Sequence, residues 1–373
     1  MDALMLPLNW QKVRLGDIGK PCMCKRVMKH QTTRYGEIPF YKIGTFGNTA
    51  DAFISKKLFL EYKTKYSFPK KGDILISASG TIGRAVIYDG KPAYFQDSNI
   101  VWIDNDETLV KNDFLFYAYS NVKWNTEYTT ILRLYNDNFR NTLILLPPLN
   151  EQSAIANILS DLDRYLYALD ALILKKEGVK KALSFELLSQ RKRLKGFNQA
   201  WQRVRLGDIA NYLTSNLSAE QITQQGEIKV YDVNNFIGYT DTTFISDKPY
   251  ISIVKDGSVG RVRILPPKTN ISSTMGALIA NHRTTTEFLF YLLSNFDFKN
   301  FTSGSIIPHI YFKDYKEKTI FLPPLNEQSA IANILSALDN EIASLKNKKR
   351  QFENIKKALN HDLMSAKIRV LKK

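Results

Sequence analysis

Apolar residues recur at steps of three and four over two long stretches of this chain. The first holds Ile155, Leu159, Leu162, Leu166, Leu169, Leu172, Val179, Leu183 and Leu187. The second holds Ile331, Leu335, Leu338, Ile342, Leu345, Phe352, Ile355, Leu359 and Leu363. A stripe kept up for about 40 residues is the seam of a helix on the order of 60 Å long. Pro147-Pro148 cannot continue a preceding helix. Asn150 is a good N-cap, and Glu151 puts a carboxylate in the first turn, where the helix dipole favours it. Gly196 is placed to end the first helix. Neither helix alone hides such a stripe, so the spacing predicts that the two pack on each other. The alternative is that each covers its own globular neighbour.

Elsewhere the pattern shortens. Residues 73–77 (DILIS), 85–88 and 99–103 read as strands rich in Ile and Val, and 113–121 as a short helix. Residues 229–233, 251–254, 262–265 and 277–280 read as a second set of strands. A helix over 286–295 follows them, with Thr284 and Glu287 spaced as a capping box. FLFY stands in both short helices, at 114–117 and 288–291. The fold class is therefore α/β: two mixed domains, 1–145 and 198–321, and two long antiparallel helical segments, 146–197 with its linker and 322–373.

The halves are copies. LPPLNEQSAIANILS stands at 146–160 and again, unchanged, at 322–336. WQKVRLGDI at 10–18 returns as WQRVRLGDI at 201–209, differing only at Lys12 and Arg203. The offset is 191 residues at the tryptophan and 176 at LPPLNEQ, so the second globular stretch is fifteen residues shorter. Such a duplication predicts two equivalent units related by a pseudo-twofold, which suits a target that is itself in two parts.

Composition narrows the partner. The 44% hydrophobic and 24% charged content is that of an ordinary water-soluble globular chain. No apolar run approaches the roughly 20 residues of a membrane span. The opening MDALMLPLNWQKVR lacks the basic segment and apolar core of a secretory signal. Cys22 and Cys24 are too close for an ordinary disulfide and fit free thiols in a reducing compartment, the cytoplasm. A metal site there would need two further ligands, and only His30 is near. The net charge of +16, from 52 Lys+Arg against 36 Asp+Glu, favours a polyanionic partner, most simply nucleic acid.

A small glycine loop recurs between strands: Ser79-Gly80-Thr81-Ile82-Gly83-Arg84 and Asp256-Gly257-Ser258-Val259-Gly260-Arg261. Its glycines allow close approach of a ligand, and Ser79, Thr81, Arg84, Ser258 and Arg261 have groups that pair with phosphate or a base edge. A hairpin turn with an incidental arginine is the simpler reading. A polar loop at 302–309 contributes Ser303, Ser305 and His309. Its counterpart at 129–136 contributes Arg133, Tyr135 and Asn136. Further candidates are Lys25, Arg26, Lys29, Arg34, Gln96, Asn99, Asn216, Asn234, Asn235 and Thr274, of types that match base edges or phosphates. The basic runs 190–195 and 346–350 read as solvated helix faces.

Signatures of catalysis are missing together. The four histidines form no His-x-x-x-His set. Glu61-Tyr62-Lys63 and Glu227-Ile228-Lys229 echo a nuclease Glu-x-Lys tail without the preceding Pro-Asp. Asn-Pro-Pro-Tyr, a Walker loop and a glycine-rich loop for S-adenosylmethionine are absent.

LGDI near the start, GDILIS, GTIGR and the duplicated LPPLNEQ ahead of a long helix run in order over nearly the whole chain. In this the chain resembles the specificity (S) subunit of type I restriction–modification systems. GDILIS has only a degraded echo in the second half, YISIV at 250–254. The resemblance implies a subunit without enzymatic activity or cofactor of its own. It implies two target-recognition domains, each reading half of a split double-stranded DNA site. The helices would set the spacing and dock two methyltransferase (M) subunits, with restriction (R) subunits added. A protein-binding assembly scaffold, a self-sufficient nuclease or methyltransferase, and an RNA reader remain as rival readings of the residues.

Overall fold

The computed structural model describes residues 7–370 except residue 8 and residues 129–131. The chain folds as two compact units, one of residues 1–169 with 348–373, the other of residues 170–347. Each unit therefore takes one globular stretch and a part of both long helices, Leu149–Leu188 and Leu325–Met364.

In the first unit, strands Gly19–Met23, Ile100–Asn105, Ile74–Ser77 and Ala85–Ile87 lie side by side in that order, all antiparallel. A second sheet orders Ala52–Ile54, Ile38–Tyr41 and Tyr94–Phe95, the last pair parallel. The second unit repeats both sheets. Ala210–Thr214, Met275–Ala280, Tyr250–Val254 and Val262–Leu265 form the first, and Phe236–Thr240, Ile228–Tyr231 and Asn270–Ile271 the second. Tyr250–Val254 takes the place of Ile74–Ser77, so the weak echo of GDILIS is a true equivalent. The helix Lys56–Lys65 stands between strands of the first unit where the second has only a turn, which accounts for most of the length difference.

The two repeated words meet in space within each unit. Gln11–Arg14 pairs antiparallel with Leu143–Leu146, the strand that runs into Pro147-Pro148. Gln202–Arg205 pairs in the same way with Thr319–Leu322. The short helices Asn112–Tyr119 and Thr286–Ser294 then bury Phe114 and Phe288 beneath the four-stranded sheets, beside Ile155 and Leu159 in one unit and Ile331 and Leu335 in the other.

Glu151 and Glu327 do more than offset a helix dipole. They are 1% and 0% exposed. Trp10 Nε1 donates to Glu151 at 3.2 Å, while Arg369 grips both carboxylate oxygens at 2.6 and 2.8 Å. In the second unit Trp201 Nε1 donates to Glu327 at 2.9 Å and Arg193 bonds both oxygens at 3.2 and 2.6 Å. The bonds to Glu327 raise the Arg193 pKa above its ordinary value. Asn150 is not the N-cap; the helix already includes it, and its side chain accepts from the Glu151 N–H at 2.9 Å. Gln152 and Gln328 fold back on the proline turns. Gln152 donates to the Pro147 and Leu109 carbonyls and accepts from the Lys111 N–H. Gln328 donates to Pro323 and Arg283 and accepts from Thr284 and Thr285. Thr284 is thereby occupied, and Thr285 caps its helix, accepting from the Phe288 N–H.

The long helices run antiparallel inside each unit, and both expected packings occur. Tyr165 meets Phe352 with ring centroids 4.8 Å apart, and Asp163 binds Lys356 and accepts from Tyr117 Oη at 2.8 Å. Asp339 makes the equivalent set with Lys180 and Tyr291, the latter at 2.9 Å. Burial, together with the carboxylate bond, pushes both phenols above their ordinary pKa. The seam departs from the expected one: Leu172, Val179 and Ile355 are exposed, and Ile173 is buried in their place. The first helix stops at Leu188, ahead of Gly196, and Gln190 rather than glycine turns the chain with φ of 61°. Arg193, expected on a solvated face, is drawn down onto Glu327. Burial pushes the Cys24 thiol up to about 12, so it is an inert core residue.

Replacing Glu327 by Ala leaves an arginine and an indole N–H facing an emptied site. The variant is expected to lose about 3 kcal/mol of stability, the cost of removing one partner from a buried pair. Urea denaturation followed by tryptophan fluorescence reads it, and an unchanged midpoint would show that the carboxylate is dispensable.

Candidate nucleic-acid interface

Each glycine loop is the connection of an antiparallel hairpin, Ile74–Ser77 to Ala85–Ile87 in the first unit and Tyr250–Val254 to Val262–Leu265 in the second. Both glycines of each loop have positive φ: 66° and 83° for Gly80 and Gly83, 83° and 80° for Gly257 and Gly260. They are not equivalent in use. A Cβ on Gly83 would stand 2.1 Å from Trp124 Nε1, and one on Gly260 2.6 Å from Phe298 Cδ2. The second glycine is thus small so that an aromatic ring can press on it from the protein side. Gly257 has nothing within 4 Å and Gly80 only Ile43 at 3.9 Å, so the first glycine alone leaves its backbone open.

The loop is a hub. In the first unit Ser79 bridges to Arg133 of the hairpin Glu127–Tyr128 and Leu132–Arg133, and its hydroxyl donates to Asn99 at 2.8 Å. The Ala78 N–H donates to the Asn99 carbonyl at 2.7 Å. Arg84 reaches across to the Phe46 carbonyl at 2.9 Å. In the second unit Asp256 bridges to His309 of the hairpin Thr302–Ser303 and His309–Ile310, and binds its imidazole at 2.6 Å. The Lys255 N–H donates to the Thr274 carbonyl at 3.0 Å, and Arg261 donates to Asn234 Oδ1 at 3.2 Å. These pairings set His309 opposite Arg133 and Tyr311 opposite Tyr135. The loops therefore correspond three residues away from the alignment expected from 129–136, and residues 129–131 of it lie outside the described residues.

Several candidates are spent on structure. Ser79 is 3% exposed and Asn99 is its partner. Gln96 accepts from the Ile43 N–H at 2.9 Å. Arg26 is paired with Asp97 at 2.9 Å. The N–H groups of Asn234 and Asn235 both donate to Asp232 Oδ1, forming a tight turn. The Thr274 hydroxyl lies 2.9 Å from that of Ser272. Thr81, Arg84, Tyr135, Asn136, Asn216, Asn234, Asn235, Ser258, Arg261, Ser303 and Ser305 are exposed, and His309 and Arg133 are partly so. Arg263 was missed. It donates to the carbonyls of Asn234 and Asp232 and stands over the Tyr231 ring at 5.2 Å. Its signal was the alternation Arg261-Val262-Arg263, which puts both guanidinium groups on one face of the sheet.

The basic candidates near the start of the chain, Arg26 among them, are gathered in one stretch. Lys25, Arg26, Lys29 and Arg34 all lie exposed in residues 24–35, around a single turn of 3₁₀ helix at Lys29–Gln31. The same turn recurs at Ala219–Gln221, with Gln31 and Gln221 closing it identically. Yet residues 215–225 carry no Lys or Arg and one Glu. The two units share the backbone and differ sharply in charge on it.

A family model described as "Type I restriction modification DNA specificity domain" matches residues 7–176 and 198–354. A putative type I restriction enzyme specificity subunit of Haemophilus influenzae is 64% identical over 148 residues, 39% of this chain and 38% of that one. The matched part thus spans well under half of that relative. The putative type I restriction enzyme MjaX specificity subunit of Methanocaldococcus jannaschii is 27% identical over 98% of this chain and 95% of its own. The crystal structure of a type I restriction–modification S subunit from M. genitalium shares the fold. Its TM-score is 0.64 at 20% identity, over 97% of this chain and 98% of that one. No described helix is long and apolar enough to cross a membrane.

The charge contrast sets an expected outcome. Combining Lys25→Ser, Lys29→Ala and Arg34→Gln should flatten the dependence of log K on log salt for duplex DNA. The slope changes by about 0.9 for each phosphate no longer neutralised, and by about 3 in all. A titration across salt concentrations measures it. An unchanged slope would place residues 24–35 away from phosphate.

Proposed function

We propose a function from one premise: the chain belongs to the type I restriction modification DNA specificity domain family, whose model covers both of its halves. It is the specificity subunit of a type I restriction–modification complex. Residues 1–145 and 198–321 each read one half of a bipartite, asymmetric site in double-stranded DNA. The long helical segments, 146–197 and 322–373, set the interval between half-sites and carry two methyltransferase (M) subunits, to which restriction (R) subunits are added. Chemistry belongs to those partners. The chain works in the cytoplasm and needs no cofactor of its own.

One observation carries this reading. The same hub of glycine loop, hairpin and turn is built twice on the same backbone, but with different side chains. Ser79, Asn99 and Arg133 in one copy correspond to Asp256, Thr274 and His309 in the other. An identical frame with unlike tips is what two readers of unlike sequences require. Phosphate contacts from Lys and Arg fix register, and a few base-edge contacts give sequence.

Exchange of residues 10–145 for the matching domain of another specificity subunit is expected to change one half of the methylated site and leave the other. Methylation mapping of host DNA reads the motif, and a change in both halves would overturn the modular reading. Arg261→Ala is expected to weaken duplex binding about tenfold with unfolding unchanged, the scale of one good base or phosphate contact. Unaltered affinity in a filter-binding titration would remove this arginine from the contact surface. Failure of the wild-type chain to shift random duplex DNA at low salt would favour an assembly scaffold.

A further inference from the structure

The hairpin of the second unit ends in a feature that stability does not explain. Ile306 is 92% exposed and Ile307 55% exposed, side by side at the tip between Thr302–Ser303 and His309–Ile310. The tip is not slack. Gly304 has φ of 88°, and a Cβ there would lie 2.3 Å from the Ile307 carbonyl oxygen, so the turn is closed tightly on itself. Its base is bolted to the glycine loop. The Gly257 N–H donates to the Pro308 carbonyl and the Ile310 N–H to the Lys255 carbonyl, both at 2.9 Å, and the His309 imidazole binds Asp256. Ser303 and Ser305 lie exposed in the same hairpin, and Lys255 and Arg261 flank the glycine loop to which its base is tied. A β-branched side chain of restricted χ1 stands at the end of a rigid support that carries two exposed hydroxyls.

The exposed hydroxyls of the hairpin and the lysine and arginine beside the adjoining loop suit a phosphate backbone, and the apolar tip needs an apolar feature of the duplex. In the major groove that feature is the C5-methyl group of thymine. We propose that Ile306 is the thymine-methyl probe of the second recognition domain. This rests on the DNA-reading function above and names one specificity residue for it. The tip packs on the methyl, and the hub beneath it holds the tip at a fixed depth. Loss of the methyl leaves the isoleucine facing water.

The test uses the full-length chain with duplexes selected from a random library, and the same chain carrying Ile306→Ala. Because Ile306 lies almost wholly in solvent, the variant is expected to unfold at the wild-type midpoint. Each thymine of the second half-site is replaced in turn by uracil, which removes only the methyl. One replacement should weaken the wild type about fourfold, the value of one buried methyl group, and leave Ile306→Ala unaffected. If both proteins bind the selected duplex but no uracil separates them, the proposal falls and the tip is a minor-groove wedge or a protein contact. If the wild type selects no duplex at all, the DNA-reading function itself falls, and the proposal with it.

Discussion

A carboxylate buried out of reach of water needs every one of its oxygens answered, and in this chain the answers come from distant parts of the sequence. Glu151 is satisfied by Trp10 and Arg369, and Glu327 by Trp201 and Arg193. Each glutamate sits in the first turn of a long helix, each tryptophan stands just before the strand that opens a globular stretch, and each arginine lies just beyond the end of the other long helix. One charge therefore fixes three junctions at once. The low dielectric that makes the bonds strong also makes an unanswered carboxylate expensive, so the three groups stand or fall together.

That constraint explains why the repeated words are verbatim. In LPPLNEQ the prolines stop the strand, the asparagine accepts from the next N–H, the glutamate takes the indole and guanidinium, and the glutamine ties the proline carbonyl to the domain. Each of these polar letters has equivalent partners in both units, with one further bond to Gln328 from the Thr284 hydroxyl. The interiors carry no such joint obligation. Their central strands need only residues that can be buried on both faces, so Ile74–Ser77 and Tyr250–Val254, buried at every position, fulfil the same role with different residues.

The Ile- and Val-rich strands, the two FLFY helices and the length of the long helices were legible because their periods are strong, whereas strands such as Gly19–Met23 and Ile38–Tyr41 and the helix Lys56–Lys65 carry too weak a pattern to stand out. The heptad seam was legible at Ile155, Leu159 and Leu169, but not at Leu172 or Val179. A helix of ideal pitch drifts against a strict seven-residue repeat, and Ile173 rotated into the buried face instead. Arg193 reads as surface charge because nothing local reveals a carboxylate more than a hundred residues away. At the candidate interface, residue type picked out Arg261 and the basic stretch at 24–35, which the fold leaves exposed. It could not separate Ser79, Gln96 and Asn99, which hold loops together, from side chains free to meet a ligand. Polar residues suited to DNA are equally suited to tying turns.

The division of the long helices between units has a consequence for the order of synthesis. Residues 170–347 form a contiguous unit, so all its parts leave the ribosome one after another. The first unit is broken: its closing helix turns and Arg369 are translated only after the whole of the second unit. The head made first must wait, with Glu151 unanswered and one flank of its core uncovered, until those later residues emerge. The amino-terminal reader is thus begun before its twin and completed after it.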